Sequence, residues 1–188
     1  MFFIKIKLIN IFFSYVIFII MTKIAIRPWE PKDADWLSQN FNNEHIWNNL
    51  RDYIPHPYSI EIAENFISKQ QELNPTQNFL ITNDSERVGG IGITFQEDIY
   101  RMNVELGYWI SEPNWGNGFA SEAVRTMVDY VFESFAINRI VAEVFEYNRS
   151  SMRVLEKNGF TLENVARKGI IKNNILLDNY IWVKQKIY

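Results

Sequence analysis

At 188 residues, 47% of them hydrophobic and 15% aromatic, the chain can build one globular domain with a sizeable core. Its net charge of −3 offers no electrostatic basis for a nucleic-acid partner. With no cysteine and two histidines, His45 and His56, it excludes disulfides, thiolate catalysis and cysteine or histidine-rich metal sites, so no metal is expected; the same composition suits a reducing compartment, the cytoplasm.

Met1 to Ile20 is apolar apart from Lys5, Lys7, Asn10 and Ser14. A membrane helix takes roughly 20 apolar residues, and this run reaches that length only with both lysines inside it. The segment Ile19-Ile20-Met21-Thr22 offers no small-residue cleavage site, which argues against a signal peptide. Three readings stay open: a membrane anchor, a buried or partner-binding helix, and a non-native extension with translation starting at Met21. The last is preferred, because domain-like sequence begins directly after Met21. The domain is therefore residues 21–188, with a membrane partner only if residues 1–20 are real.

Lys23 to Trp29 alternates polar and apolar residues and reads as a strand. Pro31-Lys32-Asp33 opens a helix to about Phe41, with Pro and Asp in its first turn. Asn42 to Tyr58, punctuated by Pro55 and Pro57, reads as a loop. Ser59 caps a second helix, with Ile62, Phe66 and Ile67 at helical spacing, ended by Asn74-Pro75. Gln77 to Thr82 and Val88 to Gln96 read as strands around the turn Asn83-Asp84-Ser85; Gly89, Gly90 and Gly92 in the second imply a bulge or a close backbone approach. Asn103 to Ile110 alternates cleanly, with Val104, Leu106, Tyr108 and Ile110 on one face and Glu105, Gly107 and Trp109 on the other.

Ala120 to Phe135 has the best helical periodicity in the chain and reads as core. Arg139 to Tyr147 is a strand. Ser150 to Asn158 is a short helix stopped by Gly159, and Thr161 to Lys168 and Leu176 to Lys186 are the last strands. The order β-α-α-β-β-β-α-β-α-β-β specifies a single mixed α/β domain.

Between the third strand of the central run and the long helix lies Trp115-Gly116-Asn117-Gly118-Phe119-Ala120. Two glycines and an alanine at a helix mouth leave backbone N–H groups uncovered, at the positive end of the helix dipole, and such a place receives phosphate. The plainer reading is a tight turn using glycine for positive φ.

Three landmarks taken together resemble the GNAT superfamily of acetyl-coenzyme A-dependent N-acetyltransferases: Glu105-Leu106-Gly107-Tyr108-Trp109-Ile110, the loop Trp115 to Ala120, and Asn148-Arg149-Ser150-Ser151 followed by Glu156-Lys157-Asn158-Gly159-Phe160. The wording is closest to the branch containing ribosomal-protein N-terminal alanine acetyltransferases, as is Leu50 to Tyr58. The resemblance implies a mixed, mostly antiparallel sheet of about seven strands flanked by about four helices. It implies acetyl-coenzyme A as co-substrate, an amine acceptor that is a protein N-terminus or a small molecule, and a monomer or homodimer.

It also implies residue roles. The backbone of Gly116, Asn117, Gly118, Phe119, Ala120 and Ser121 would hold the pyrophosphate; that of Trp109 and Ile110 would pair with the pantetheine arm, with an N–H near Ile110 facing the oxyanion; Asn148 would bond the pantetheine or cap its helix. Glu105 would be the general base and Ser151 the general acid, each also readable as an ordinary strand or cap residue. Asn48, Arg51, Asp52, His56 and Tyr58 would border the acceptor, although a solvated loop is the plainer reading of any one of them. Two positions depart from the family pattern. Trp115 stands where Gln or Arg is usual, which leaves phosphate binding to backbone amides. Leu155 stands where many members carry an acidic Tyr, so another group must protonate the leaving thiolate. A coenzyme A-binding module without catalysis is the reading from another class.

Overall fold

The computed structural model describes residues 24–187; the readings made for residues 1–20, and the ends of the first and last segments, lie outside them. The strands are β1 (Ile24–Pro28), β2 (Asn78–Asn83), β3 (Glu86–Phe95), β4 (Asn103–Ile110), β5 (Arg139–Phe145), β6 (Thr161–Lys172) and β7 (Ile175–Gln185). They form one sheet in the order β1-β2-β3-β4-β5-β7-β6. Each neighbouring pair is antiparallel except β4 and β5. The helices are α1 (Ala34–Phe41), α2 (Glu44–Trp47), α3 (Ile60–Glu72), α4 (Phe119–Ser134) and α5 (Arg149–Lys157).

The mixed, mostly antiparallel seven-stranded sheet is as expected, and five helices flank it where about four were expected. The additional helix is α2, a single turn inside the segment read as a loop. Asn43 caps it by accepting the Ile46 N–H at 3.1 Å. Four residues are too few to show a helical period, so only the cap could have announced it.

Side-chain alternation divides the core in two. Val104, Leu106 and Ile110 of β4 and Ile140, Ala142 and Val144 of β5 face α4 and α5, and they pack with Ala123, Val124, Met127 and Val131 of α4. The opposite face of the sheet carries α1 to α3, whose Leu37, Phe41, Ala63 and Ile67 pack with Trp29 and Tyr58. Trp109 belongs to that second face, stacked on Trp36 at 5.6 Å and edge-on to Phe41 at 4.6 Å. Gly90 is the floor beneath it: a Cβ there would stand 2.6 Å from the Trp109 indole nitrogen.

A buried charge ties the start of the chain to the sheet. Asp33, at 0% exposure, accepts from both guanidinium ends of Arg27 at 2.7 and 2.9 Å, from Arg87 Nε at 2.7 Å and from the Glu30 N–H at 2.9 Å. The carboxylate has a partner on each oxygen, as a charge removed from water requires.

Strands β4 and β5 stay paired only from Asn103↔Arg139 to Glu105↔Val141. Beyond Glu105 they part, while β4 remains paired to β3 through Ile110 and β5 to β7 through Phe145. The sheet is thus split along half of its central strands, and this opening positions the site.

Candidate active site

Loop 115–118 and the start of α4 border the opening. Gly116 and Gly118 both have φ +81°, a conformation costly for any residue with a Cβ, and a Cβ at either would meet nothing within 4 Å. The plainer reading of these glycines and the phosphate reading are therefore compatible: the turn demands positive φ, and the surface above it is open. Ser121 N–H turns back to the Gly118 carbonyl at 3.0 Å. Among the described residues, no protein acceptor meets the N–H groups of Gly116, Asn117, Gly118, Phe119 and Ala120. Asn117 folds its side chain back onto the Asn114 and Trp115 carbonyls, which keeps it clear of these donors. Phe119 leaves only its backbone at this surface, since its side chain is buried in the core. The cradle fits a pyrophosphate bound by amides alone.

Trp115 replaces a polar side chain by a structural tie. Its indole N–H donates to the Ile110 carbonyl at 2.7 Å, clamping the loop to the end of β4. At the other side, Asn158 at the end of α5 donates to Ser121 Oγ at 3.2 Å. Asn148 acts as the α5 cap: its Oδ1 accepts the Ser151 N–H at 3.1 Å and the Ser150 hydroxyl at 3.0 Å.

Glu105 and Ser151 lie on opposite sides of the sheet. Glu105 is on the β4 face covered by α1 to α3 and the early loop, at the last β4–β5 pair before the split. Its Oε1 is bonded to Arg51 Nη2. Ser151, in the first turn of α5, meets β4 from the other side: its Oγ is 2.8 Å from the Tyr108 hydroxyl. The Ser151 carbonyl, 3.2 Å from the same phenol, is the alternative acceptor for its one hydrogen. Burial pushes the Tyr108 phenol well above its ordinary pKa, against the smaller lowering effect of the Ser151 hydrogen bond, so the phenol stays protonated and is a hydrogen-bond donor. Sequence reasoning placed Tyr108 only on an apolar face; the available signal was a hydroxyl in an otherwise aliphatic row.

The early loop is anchored rather than merely solvated. Asn48 accepts at its carbonyl from the Tyr147 hydroxyl and at Oδ1 from Asn173 Nδ2 at 2.9 Å. Asp52 pairs at 2.8 Å with Lys172, which is 3% exposed and lies 3.8 Å over the Trp47 ring. His56 stacks on the other partner of this group, Trp47, at 5.1 Å. Asn48 and Asp52 thus hold the loop to Tyr147, just past β5, and to the β6–β7 hairpin. Tyr58 departs from its expected place beside the acceptor: it is 5% exposed and packs on Phe41 at 4.9 Å in the second core, where burial raises its pKa to about 12. An aromatic between polar loop residues looks like a binding residue in sequence, but its ring is needed to close the α1–α3 layer. Asn48, Tyr147, Lys172, Asn173, Ile175 and Leu177 line a cleft of about 300 Å³. Among the described residues no group of three or more His, Cys, Asp or Glu side chains is placed to hold a metal ion, and no helix is long and apolar enough to cross a membrane.

The acetyltransferase (GNAT) domain family matches residues 23–161. The chain is 33% identical over 171 residues to a protein of Bacillus subtilis named probable N-acetyltransferase YjcK, covering 84% of this chain and 91% of that one. Among solved structures, the ribosomal-protein-S5-alanine acetyltransferase of Vibrio fischeri superposes with a TM-score of 0.76 at 21% identity, over 86% of this chain and 92% of the other. The spermidine N-acetyltransferase of Vibrio cholerae, in complex with coenzyme A and spermine, superposes with a TM-score of 0.74 at 19% identity, over 86% and 95%. These two structures share the fold.

Proposed function

The chain belongs to the GNAT acetyltransferase family, and from that premise we propose that it transfers the acetyl group of acetyl-coenzyme A to a primary amine, with Glu105 as general base and Ser151 as general acid. The observation that carries this reading is the placement of Glu105 and the Tyr108–Ser151 pair on opposite faces of β4, where β4 and β5 part. A reacting centre within the split has a proton acceptor on one side and a proton donor on the other.

The amides of Gly116 to Ala120 would hold the coenzyme A pyrophosphate, and the unpaired edge of β4 through Trp109 and Ile110 would take the pantetheine arm as an added strand. When bound, acetyl-coenzyme A supplies an acetyl thioester open to attack by a neutral amine. Glu105 takes one proton from the amine as its nitrogen bonds to the acetyl carbon. Ser151 gives its hydroxyl proton to the departing sulfur and regains one from water, to which Glu105 releases the proton it took. Tyr108 would act as a positioning residue: kept protonated by burial, it would turn its one hydrogen from the Ser151 carbonyl to Ser151 Oγ, which leaves the serine hydrogen free for the sulfur and stabilises the oxygen once that hydrogen is gone. This arrangement answers the loss of the usual acid at Leu155, which is fully buried in the core.

A primary amine is common to the acceptors in the names of the structural neighbours, a ribosomal-protein alanine and spermidine. The ion pair between Arg51 and Glu105 favours a second reading, a coenzyme A-binding module whose carboxylate is purely structural. The deciding experiment is an acetyl-coenzyme A turnover screen against peptides with free N-termini, polyamines and aminoglycosides. Turnover with one class, lowered about a hundredfold in kcat by Glu105→Gln, supports the transferase. Binding of acetyl-coenzyme A without consumption across the screen establishes the binding module instead.

A further inference from the structure

Three polar side chains converge on the sheet face that carries Glu105. Glu143 follows Val141 by two residues on β5, so it points to the same side as Glu105. Asn179 of β7 lies opposite Phe145, two residues further on, and is on that side too. Its Nδ2 donates to Glu143 Oε2 at 3.0 Å. Arg51 reaches in from the early loop, bonded to Glu105 and 3.5 Å from the same Glu143 oxygen.

Two features of this group are unexplained by folding. Asn179 is 6% exposed, yet its Oδ1 is buried and accepts no hydrogen bond among the described residues. Turning the amide round does not help, because Oδ1 would then face the Glu143 carboxylate. A buried acceptor without a donor is costly, and such groups are retained where a ligand completes them. The second feature is charge. Glu105 and Glu143 face one guanidinium, which leaves an excess negative charge, and Arg51 is an exposed residue on a loop. Exposed ion pairs of this kind are weak, so Arg51 is easily displaced by another cation.

We propose that Glu143 and Asn179 form the subsite for the acceptor's ammonium group, and that Arg51 occupies this subsite until the acceptor displaces it from between Glu105 and Glu143. This rests on the transferase reading and deepens it. The ammonium donates to Glu143 Oε2 and to Asn179 Oδ1; it releases its first proton to water, and the departure of Arg51 leaves Glu105 free to take the second as the nitrogen attacks. The same face of β7 continues from Asn179 to Leu177, which lines the cleft closed by Asn48 and Tyr147. The walls supplied by Leu177, Ile175 and Tyr147 suit an unbranched carbon chain behind the ammonium, from a polyamine or from an extended peptide N-terminus.

The test uses the full chain with coenzyme A and two kinds of measurement. In the first, n-butylamine is titrated calorimetrically onto the chain bound to coenzyme A, which carries no acetyl group to transfer; the primary ammonium has one N–H for Glu143 Oε2 and another for Asn179 Oδ1. Binding is expected to wild type, about tenfold weaker or absent in Glu143→Gln and Asn179→Leu, and severalfold tighter in Arg51→Gln. In the second, spermidine and an alanine-initiated peptide are compared as acceptors. For whichever is acetylated, Glu143→Gln raises the acceptor KM about tenfold, Arg51→Gln lowers it, and the acetyl-coenzyme A KM is unchanged. Equal thermal midpoints show that the variants are folded. Weaker amine binding in Arg51→Gln, or unchanged binding in Glu143→Gln, overturns the inference. Amine binding that follows the expected order without any acetylation upholds the subsite while defeating the transferase reading, so the two fail separately.

Discussion

The Tyr108 hydroxyl stands 2.8 Å from Ser151 Oγ, joining strand β4 to the first turn of α5 beside the split between β4 and β5. If Tyr108 positions Ser151 and Ser151 supplies the proton, their substitutions are not additive. Ser151→Ala is expected to lower kcat about a hundredfold and Tyr108→Phe about tenfold. The double variant should match Ser151→Ala alone. Steady-state kinetics at saturating acetyl-coenzyme A check this, and a double variant showing the product of both losses would separate the two roles.

Gly118→Ala isolates the conformational demand of the phosphate cradle. Nothing lies within 4 Å of the added Cβ, so the cost is that of positive φ, about 1–2 kcal/mol. The thermal midpoint should drop by several degrees, and coenzyme A affinity should fall about tenfold as the turn relaxes. Gly107→Ala, where the added Cβ also meets nothing within 4 Å and φ is ordinary, serves as the stability control. A midpoint loss as large at Gly107 as at Gly118 would contradict the role of φ.

Trp115→Phe keeps an aromatic ring, though a smaller one, but removes the N–H that donates to the Ile110 carbonyl. The lost bond amounts to about 1 kcal/mol. The acetyl-coenzyme A KM is expected to rise severalfold with kcat little changed, because the tie fixes the loop and touches neither proton-transfer group. A fall in kcat at constant KM would place Trp115 in the chemistry instead.

Asp33 makes stability depend on acid. Burial pushes its carboxyl pKa up, but the hydrogen bonds from Arg27, the Glu30 N–H and Arg87 prevail and bring it from 3.8 to about 2. The folded pKa is depressed, so the stabilisation is present above pH 3.8 and is lost as pH falls through about 2. It amounts to about 2 kcal/mol. Asp33→Asn should lower stability at pH 7 by about 3 kcal/mol, since both guanidinium groups lose their partner, and should flatten the decline between pH 4 and 2. Urea unfolding across that range checks both; an undiminished decline in the variant would assign the acid sensitivity to other carboxylates.

Legibility in the sequence followed the range of the interactions. The alternation of Asn103 to Ile110 correctly separated Glu105, Gly107 and Trp109 from Val104, Leu106 and Ile110, because strand parity is a property of consecutive residues. Ser59 and Asn148 were readable as caps, and Gly159, at φ +73°, as a helix stop. The two Asn residues at 173 and 174, both at positive φ, turn β6 into β7, so the strand begun at Thr161 runs on to Lys172. Tyr58 was misplaced because nothing near it in sequence shows that Phe41 will be its neighbour.

The sequence by itself determined the order of the strands and longer helices, the faces of the strands and the conformation required of loop 115–118, all of which depend on local spacing and backbone sterics. Only the tertiary structure decided where β4 and β5 part, that Tyr108 meets Ser151 across 43 residues, and that Arg51 comes between Glu105 and Glu143. It likewise brought Asp52 to Lys172 across 120 residues of chain. Those pairings depend on how far two strands stay hydrogen-bonded before they diverge, and that distance is set by the packing of helices on both faces of the sheet, which no short stretch of residues contains.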